Sequence, residues 1–182
     1  MNTFSFLEYL WARSSYKYDF SWKISDSLKS LLEGTFIFSF IKPYHTNIRK
    51  EISKMPKVYI NDFGLIKFAR GLEFNNYMLI AGEEIENYVY NNLKNKFEKD
   101  YIYFYRTISK SEIDFVIKDE NKFILVEAKF RNEPKYPSAI KKFSDEYQNI
   151  NSVMIITKDL LDKKENVIYL PAVLLPFVDF DR

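Results

Sequence analysis

Residues 112–130 read EIDFVIKDENKFILVEAKF, two runs rich in β-branched and aromatic residues separated by a short polar break. Glu112–Lys118 and Phe123–Phe130 are predicted strands, joined so closely that they must form an antiparallel hairpin. A two-residue loop at Glu120-Asn121 and a four-residue loop from Asp119 to Lys122 both set Asp114 opposite Glu127. This register places Ile113, Phe115 and Ile117 against Ala128, Val126 and Ile124 on one apolar face. Asp114, Val116 and Lys118 then oppose Glu127, Leu125 and Phe123 on the other. The period of two puts Lys129 beside Glu127 on the face of Asp114 and leaves Ala128 buried. Two carboxylates about 5 Å apart repel by roughly 3 kcal/mol at an effective dielectric of 20, so a cation between them is expected. Carboxylate oxygens with water suit Mg²⁺ or Mn²⁺, and the lysine would position an attacking water or steady a phosphate oxygen.

Outward from the hairpin, Ile85, Val89, Leu93 and Phe97 recur every fourth residue, with Tyr88 widening the stripe, and predict a helix over Gly82–Lys99. Tyr101–Thr107 reads as a strand. Pro137-Ser138 punctuates the start of a second helix carrying Ala139, Ile140, Phe143 and Tyr147. Ser152–Thr157 reads as a buried strand, and Val167–Leu170 as a shorter one before a Pro-bounded tail. Helix, three strands, helix, strand is an α/β order, a mixed sheet flanked by helices, assigned to a domain over 81–182.

Residues 1–80 read as a small α+β segment. An apolar stretch at 4–12 suits a helix or an interface. A helix capped by Ser25 or Asp26, with Ile24, Leu28, Leu31 and Leu32 as its stripe, ends at Gly34. Thr35–Ile41 is a predicted strand stopped by Pro43. After a polar loop through His45 and Asn47, Val58–Ile60 form a short strand, and Asn61–Gly64 a turn. The arrangement resembles a winged-helix remnant.

Composition narrows the chemistry. The 182 residues hold no cysteine and one histidine, His45, which removes disulfides, thiolate zinc sites, cysteine nucleophiles and multi-histidine metal cages. The four glycines lack the spacing of a phosphate-cradling loop. The longest apolar tract, Val167–Val178, is interrupted by Pro171 and Pro176 and falls short of the roughly 20 residues a membrane span needs. Glu8 within the first apolar stretch and the lack of a basic leader argue against a secretory signal, so the cytoplasm is the expected location. Residues 1–80 hold 11 basic and 7 acidic side chains, and 81–182 hold 16 and 18, so charge alone does not mark a nucleic-acid surface. Aromatics at 18% would suit base stacking, but their company of Ile, Lys and Asn is simply what an A/T-biased coding sequence yields.

Asp114 followed by Glu127-Ala128-Lys129 resembles the signature of the PD-(D/E)XK nucleases, the restriction-endonuclease-like superfamily, and the order of elements from Gly82 to Thr157 is similar to its core. The resemblance implies that Asp114 and Glu127 bind Mg²⁺ or Mn²⁺ and that Lys129 serves the nucleophilic water. It also implies a helix glutamate completing the metal shell, a place that Glu86 fits. Lys57–Leu65, Gly82 with Glu86, Tyr103–Arg106, Glu112–Val116 and Val126–Lys129 further resemble the C-terminal region of prokaryotic AAA-type ATPases. This chain departs from that pattern by lacking the ATPase half, and is expected to be a stand-alone relative or a truncation, with any ATP dependence supplied by a separate partner.

The expected function is therefore metal-dependent hydrolysis of DNA phosphodiester bonds by Asp114, Glu127, Lys129 and Glu86. A homodimer is the simplest route to double-strand cleavage. Arg106 suits a phosphate contact or a neutralising partner for the carboxylates. Arg131, Lys141 and Lys142 are candidate nucleic-acid contacts that read more simply as surface charge. Alternatives are a non-catalytic DNA-binding or regulatory module working with an ATPase, and a protein–protein adaptor using the apolar ends. For Asp114, Glu127 and Lys129 the competing reading is a solvated charge lattice neutralised by Lys129 or Arg106.

Overall fold

Alternating apolar residues and a tight polar turn fold the 112–130 stretch as expected: β4 (Glu112–Asp119) and β5 (Lys122–Ala128) pair antiparallel from Asp119↔Lys122 to Phe115↔Val126. The loop is the two-residue one, and Glu120 takes the left-handed conformation (φ 48°) that a tight hairpin turn needs. The computed structural model describes residues 26–45, 56–62, 64–65, 82–107, 111–120, 122–131 and 135–180. The apolar stretch 4–12, the cap at Ser25 and the loop residue Asn47 lie outside the described residues.

On one side of the hairpin, β3 (Ile102–Arg106) runs antiparallel to β4, and β1 (Phe38–Pro43) runs parallel to β3. Antiparallel to β1 lies β2 (Lys57–Ile60). On the other side, β6 (Ile150–Thr157) is parallel to β5 and β8 (Val167–Pro171) parallel to β6, while β7 (Asp162–Lys164) closes the edge antiparallel to β8. The result is an α/β architecture around one mixed eight-stranded sheet in the order β2-β1-β3-β4-β5-β6-β8-β7.

Among the described residues three α-helices accompany the sheet: α1 (Asp26–Gly34), α2 (Gly82–Lys94) and α3 (Ser138–Glu146). The second stops short of the expected Lys99. The N–H groups of Lys96 and Phe97 both turn back to the Leu93 carbonyl at 2.9 and 2.8 Å, which folds Phe97 into the core, and a 3₁₀ turn at Lys99–Tyr101 leads into β3. The first strand starts at Phe38 rather than Thr35, because the N–H groups of Thr35 and Phe36 cap the Leu32 and Glu33 carbonyls at the end of α1. It also runs through Pro43. Tyr44, with an N–H that proline lacks, makes the bond to the Phe104 carbonyl instead. Short polar β7 and the 3₁₀ helix Ala172–Phe177 left no pattern in the sequence.

Two cores sandwich the sheet. Ile85, Val89, Tyr90 and Leu93 of α2 pack on Phe104, Phe115, Ile117 and Val126. Ala139, Ile140 and Phe143 of α3 pack on Tyr105, Ile113, Val116 and Leu125 across the opposite face. Ile113 is thus on the side of Val116, not with Phe115 as strict alternation requires. A bulge causes the switch: the β3–β4 register slips by one residue between Tyr103↔Val116 and Tyr105↔Ile113, so Asp114 and Phe115 share the single step at Phe104. Ala128, expected to be buried, is half-buried where the hairpin opens. Among the described residues no helix is long and apolar enough to cross a membrane.

Phe143 is fully buried, ringed by Tyr44, Tyr105, Phe123 and Tyr147. Phe143→Ala is expected to cost about 3–5 kcal/mol in urea unfolding, whereas Phe177→Ser, at a side chain 82% exposed, should stay within about 0.5 kcal/mol. Equal costs would contradict the layered core.

Candidate carboxylate and lysine site

The bulge decides where the carboxylates go. By switching Ile113 to the α3 side it turns Glu112 and Asp114 toward α2, where both carboxylates meet the ammonium of Lys57 from β2. Continuing the hairpin register sets Asp114 across from Glu127, as expected, but the backbone ladder ends one step earlier, at Phe115↔Val126. Beyond it the side chains take over. Asp114 N–H donates to Glu127 Oε2 (3.2 Å), and Ala128 N–H donates to Asp114 Oδ2 (2.9 Å). Meanwhile β5 stays with β6 through Ala128↔Ile156, and Lys129 N–H reaches the Ile156 carbonyl at 2.8 Å. The hairpin therefore parts at its open end, with a carboxylate seated on each strand's freed N–H.

Lys57 is the centre of this cluster. Its Nζ lies 2.7 Å from Glu86 Oε1 on α2 and 3.3 Å from Asp114 Oδ1, and it also pairs with Glu112. The Lys57 side chain is only 9% exposed and its Nζ stands 5.6 Å from the centre of the Phe104 ring. Tyr59, two residues along β2, donates its hydroxyl to the same Glu86 oxygen at 2.6 Å while its ring stacks on Tyr90 of α2 with centroids 4.4 Å apart. Arg106 pairs through Nε with Glu112 and lies over the other reach of the Phe104 ring. Lys129 Nζ sits 2.7 Å from Glu127 Oε1; Lys129 is 39% exposed, whereas the Glu127 side chain is 3% exposed.

Burial sets the proton affinities, and neighbouring charge then adjusts them. Burial pushes the carboxyl of Asp114 up, and Glu86 pushes it further, to about 6, against the pull of Lys57 and the Ala128 N–H. Burial and the charge of Asp114 raise Glu127 to about 7 against the pull of Lys129. For Lys57 burial alone would favour the neutral amine, but Glu86, Asp114 and Glu112 reverse this and hold it firmly protonated. Lys129 follows the same logic through Glu127, Asp114 and Glu86 and stays above the ordinary lysine value. Burial would raise Glu112, but Lys57 and Arg106 outweigh it and keep its carboxyl below the usual range.

Asp114, Glu127 and Lys129 are thus brought together, and Glu86 joins them through Lys57 and Tyr59. Arg106 is a neutralising partner of Glu112. Arg131, Lys141 and Lys142 are exposed, and Lys142 Nζ lies 3.2 Å from the Ser111 hydroxyl. Sequence reasoning missed Lys57 and Glu112. The one signal for Lys57 was its place two residues before Tyr59 on a strand, which puts both on one face. Among the described residues no three carboxylate, histidine or cysteine side chains are disposed together to hold a metal ion. Lys57 pairs with Glu86, Glu112 and, at 3.3 Å, with Asp114, and Lys129 pairs with Glu127. Asp114 and Glu127 are two carboxylates, within the one or two plus water that Mg²⁺ commonly accepts. The described ion pairs set four carboxylates against three cations, Lys57, Lys129 and Arg106, and the uncompensated charge falls on the two carboxyls with raised pKa.

Because the folded-state pKa values of Asp114 and Glu127 lie above the ordinary carboxyl value near 4, the folded chain binds more protons than the unfolded chain between about pH 4 and pH 7. Their contribution is therefore most favourable at the acid end of that window and is lost as pH rises through 6 to 7. In EDTA, Glu127→Gln is expected to be more stable than wild type at pH 8 by on the order of 2–3 kcal/mol, with the difference shrinking toward pH 5. Urea unfolding at the two pH values measures this, and parallel pH slopes would contradict the assignment.

Two families match the chain. One, described as a domain of unknown function, DUF4143, covers residues 81–175, which include α2, the hairpin and the whole carboxylate cluster except Lys57 and Tyr59. Another domain of unknown function, DUF8612, covers residues 23–76. No curated protein and no solved structure matches. The first family's domain is the one found in the C-terminal region of AAA-ATPase-associated proteins, and its match spans just over half of the residues. With β4, β5 and their paired carboxylates inside the matched region, the chain belongs to the DUF4143 family.

Proposed function

We propose that the chain is a metal-dependent nuclease of the PD-(D/E)XK type, hydrolysing DNA phosphodiester bonds where β4 and β5 part. The observation that carries this reading is the meeting of Asp114, Glu127 and Lys129 at the hairpin's open end, two buried carboxylates with excess negative charge beside a half-exposed ammonium. A divalent ion held by Asp114 and Glu127 would polarise a phosphoryl oxygen and lower the pKa of its water. The side chains have separate tasks. Lys129 remains protonated, so its role is to donate hydrogen bonds to a phosphate oxygen or to the attacking water, not to remove a proton. Glu127, raised to about 7 without an ion, would hold a divalent ion as the carboxylate and give up its proton on loading, so ion binding would tighten as pH rises through 7. Seating Asp114 on the Ala128 N–H and Glu127 on the Asp114 N–H fixes both carboxylates before any substrate arrives.

A second reading is favoured by one observation, the three-way pairing of Lys57 with Glu86, Glu112 and Asp114. A cluster whose carboxylates are already engaged by an internal ammonium suits a non-catalytic DNA-binding module that works beside a separate ATPase. Incubation with supercoiled, linear and branched DNA at low salt in Mg²⁺, Mn²⁺ or EDTA separates the two. Cleavage in either ion and none in EDTA is the expected result. DNA retardation that weakens steeply with salt, without cleavage, would favour the module.

Lys129→Ala is expected to lower the cleavage rate at least 100-fold while changing DNA affinity by no more than a few fold, since one charge is a small part of backbone binding. Cleavage and affinity falling in equal proportion would make Lys129 a contact residue and remove it from the chemistry.

A further inference from the structure

Glu127 on β5 pairs with Ile155 on β6, and Ile155 with Tyr169 on β8, so the three residues form one row across the sheet. Two strand spacings of about 4.8 Å put the Tyr169 backbone roughly 10 Å from that of Glu127. Tyr169 packs at the margin of the α3 core and is partly exposed there. Tyr136, just before α3, is 46% exposed, and burial together with the neighbouring Tyr169 pushes its hydroxyl above the ordinary value, so the two phenols stand close. Lys164 on β7 holds its Nζ 5.7 Å from the centre of the Tyr169 ring and 3.3 Å from Asp162 Oδ2. That ion pair is exposed and contributes little, so the ammonium can exchange Asp162 for a phosphate at small cost.

We propose that Tyr136 and Tyr169, with Lys164 at their edge, form a stacking platform for unpaired bases, so that the site takes DNA with a single-stranded segment beside the phosphate held at Glu127. This deepens the nuclease reading and rests on its placing of the substrate phosphate at the hairpin's open end. Every base offers a flat face to an aromatic ring, and a cation beside the ring serves the backbone. Inside a duplex both faces of a base are covered by its neighbours, so only an unpaired base can lie on these rings. The 10 Å row corresponds to about three stacked nucleotides at roughly 3.4 Å each, and to fewer in a stretched strand. Recognition through stacking also suits a chain whose charge is nearly balanced, with a formal net charge of +2.

Fluorescence anisotropy in EDTA compares a blunt duplex with the same duplex carrying a short thymidine overhang of either polarity. Wild type is expected to bind one overhang at least about fivefold more tightly than the blunt duplex, the least that one stacked base supplies. Tyr136→Ala and Tyr169→Leu, the second keeping an apolar filling at the core margin, should each bring the two DNAs to within about twofold of one another. Phe177→Ser, at an exposed ring on the 3₁₀ helix Ala172–Phe177, should keep the preference. A fluorescent adenine analogue read with wild type needs no variant to fold: its emission should fall on binding when it sits in the overhang and stay constant when it sits in the duplex. Equal affinity for the two DNAs, no binding of either, unchanged emission in the overhang, or a preference that survives both tyrosine variants overturns the proposal. Stacking of the overhang without cleavage in Mg²⁺ or Mn²⁺ overturns the nuclease reading and leaves the platform standing.

Discussion

One ammonium group ties together three segments that lie far apart in the chain. Lys57 meets Glu86 across 29 positions and Asp114 across 57, and without that meeting β2, α2 and β4 would each present an unbalanced charge to the interior. Breaking a buried pair by deleting one partner commonly costs about 3–5 kcal/mol, because a desolvated charge is left behind. Here one deletion takes the shared cation from three carboxylates at once. The aromatic floor beneath the cluster depends on the same contact: Phe104 lies under both Lys57 and Arg106, and Tyr59 is aligned on Tyr90 by its bond to Glu86.

The bulge at Asp114 makes the contact reachable. An unbroken strand would send Asp114 to the α3 side with Val116, among Phe143 and its aromatic neighbours. One extra residue against Phe104 reverses the side chains beyond it and delivers Glu112 and Asp114 to Lys57. The same irregularity ends the β4–β5 ladder, and the freed N–H groups become seats for Glu127 and Asp114. Local loss of sheet regularity and assembly of the site are thus one event.

The hairpin was legible because its register is fixed by information inside 19 residues: a short turn, two alternating runs and one self-consistent pairing. The bulge was not, since it is a misfit between β4 and β3, and only the third strand reveals it. Asp114, Glu127 and Lys129 could be named from spacing and from a family resemblance, and Glu86 from the resemblance alone. Lys57 escaped because a lysine opening an amphipathic strand ordinarily points to water; the three carboxylates that bury it come from elements that periodicity cannot place beside it. The end of α2 was misread for a related reason, as Phe97 continues the helical spacing while the backbone turns back on Leu93.

Seating each carboxylate on the opposite strand's N–H makes the pair mutually conditional. Glu127 is oriented by the backbone of Asp114, and Asp114 by the backbone of Ala128, next to Glu127. Lengthening Asp114 to glutamate would keep the charge but carry its oxygens past the Ala128 N–H and into the room of Lys57. Shortening Glu127 to aspartate would withdraw its oxygens from the Asp114 N–H. Chemically similar exchanges at these two positions are therefore geometrically unequal to the originals, and drift between the two acidic residue types would have to occur at both strands together.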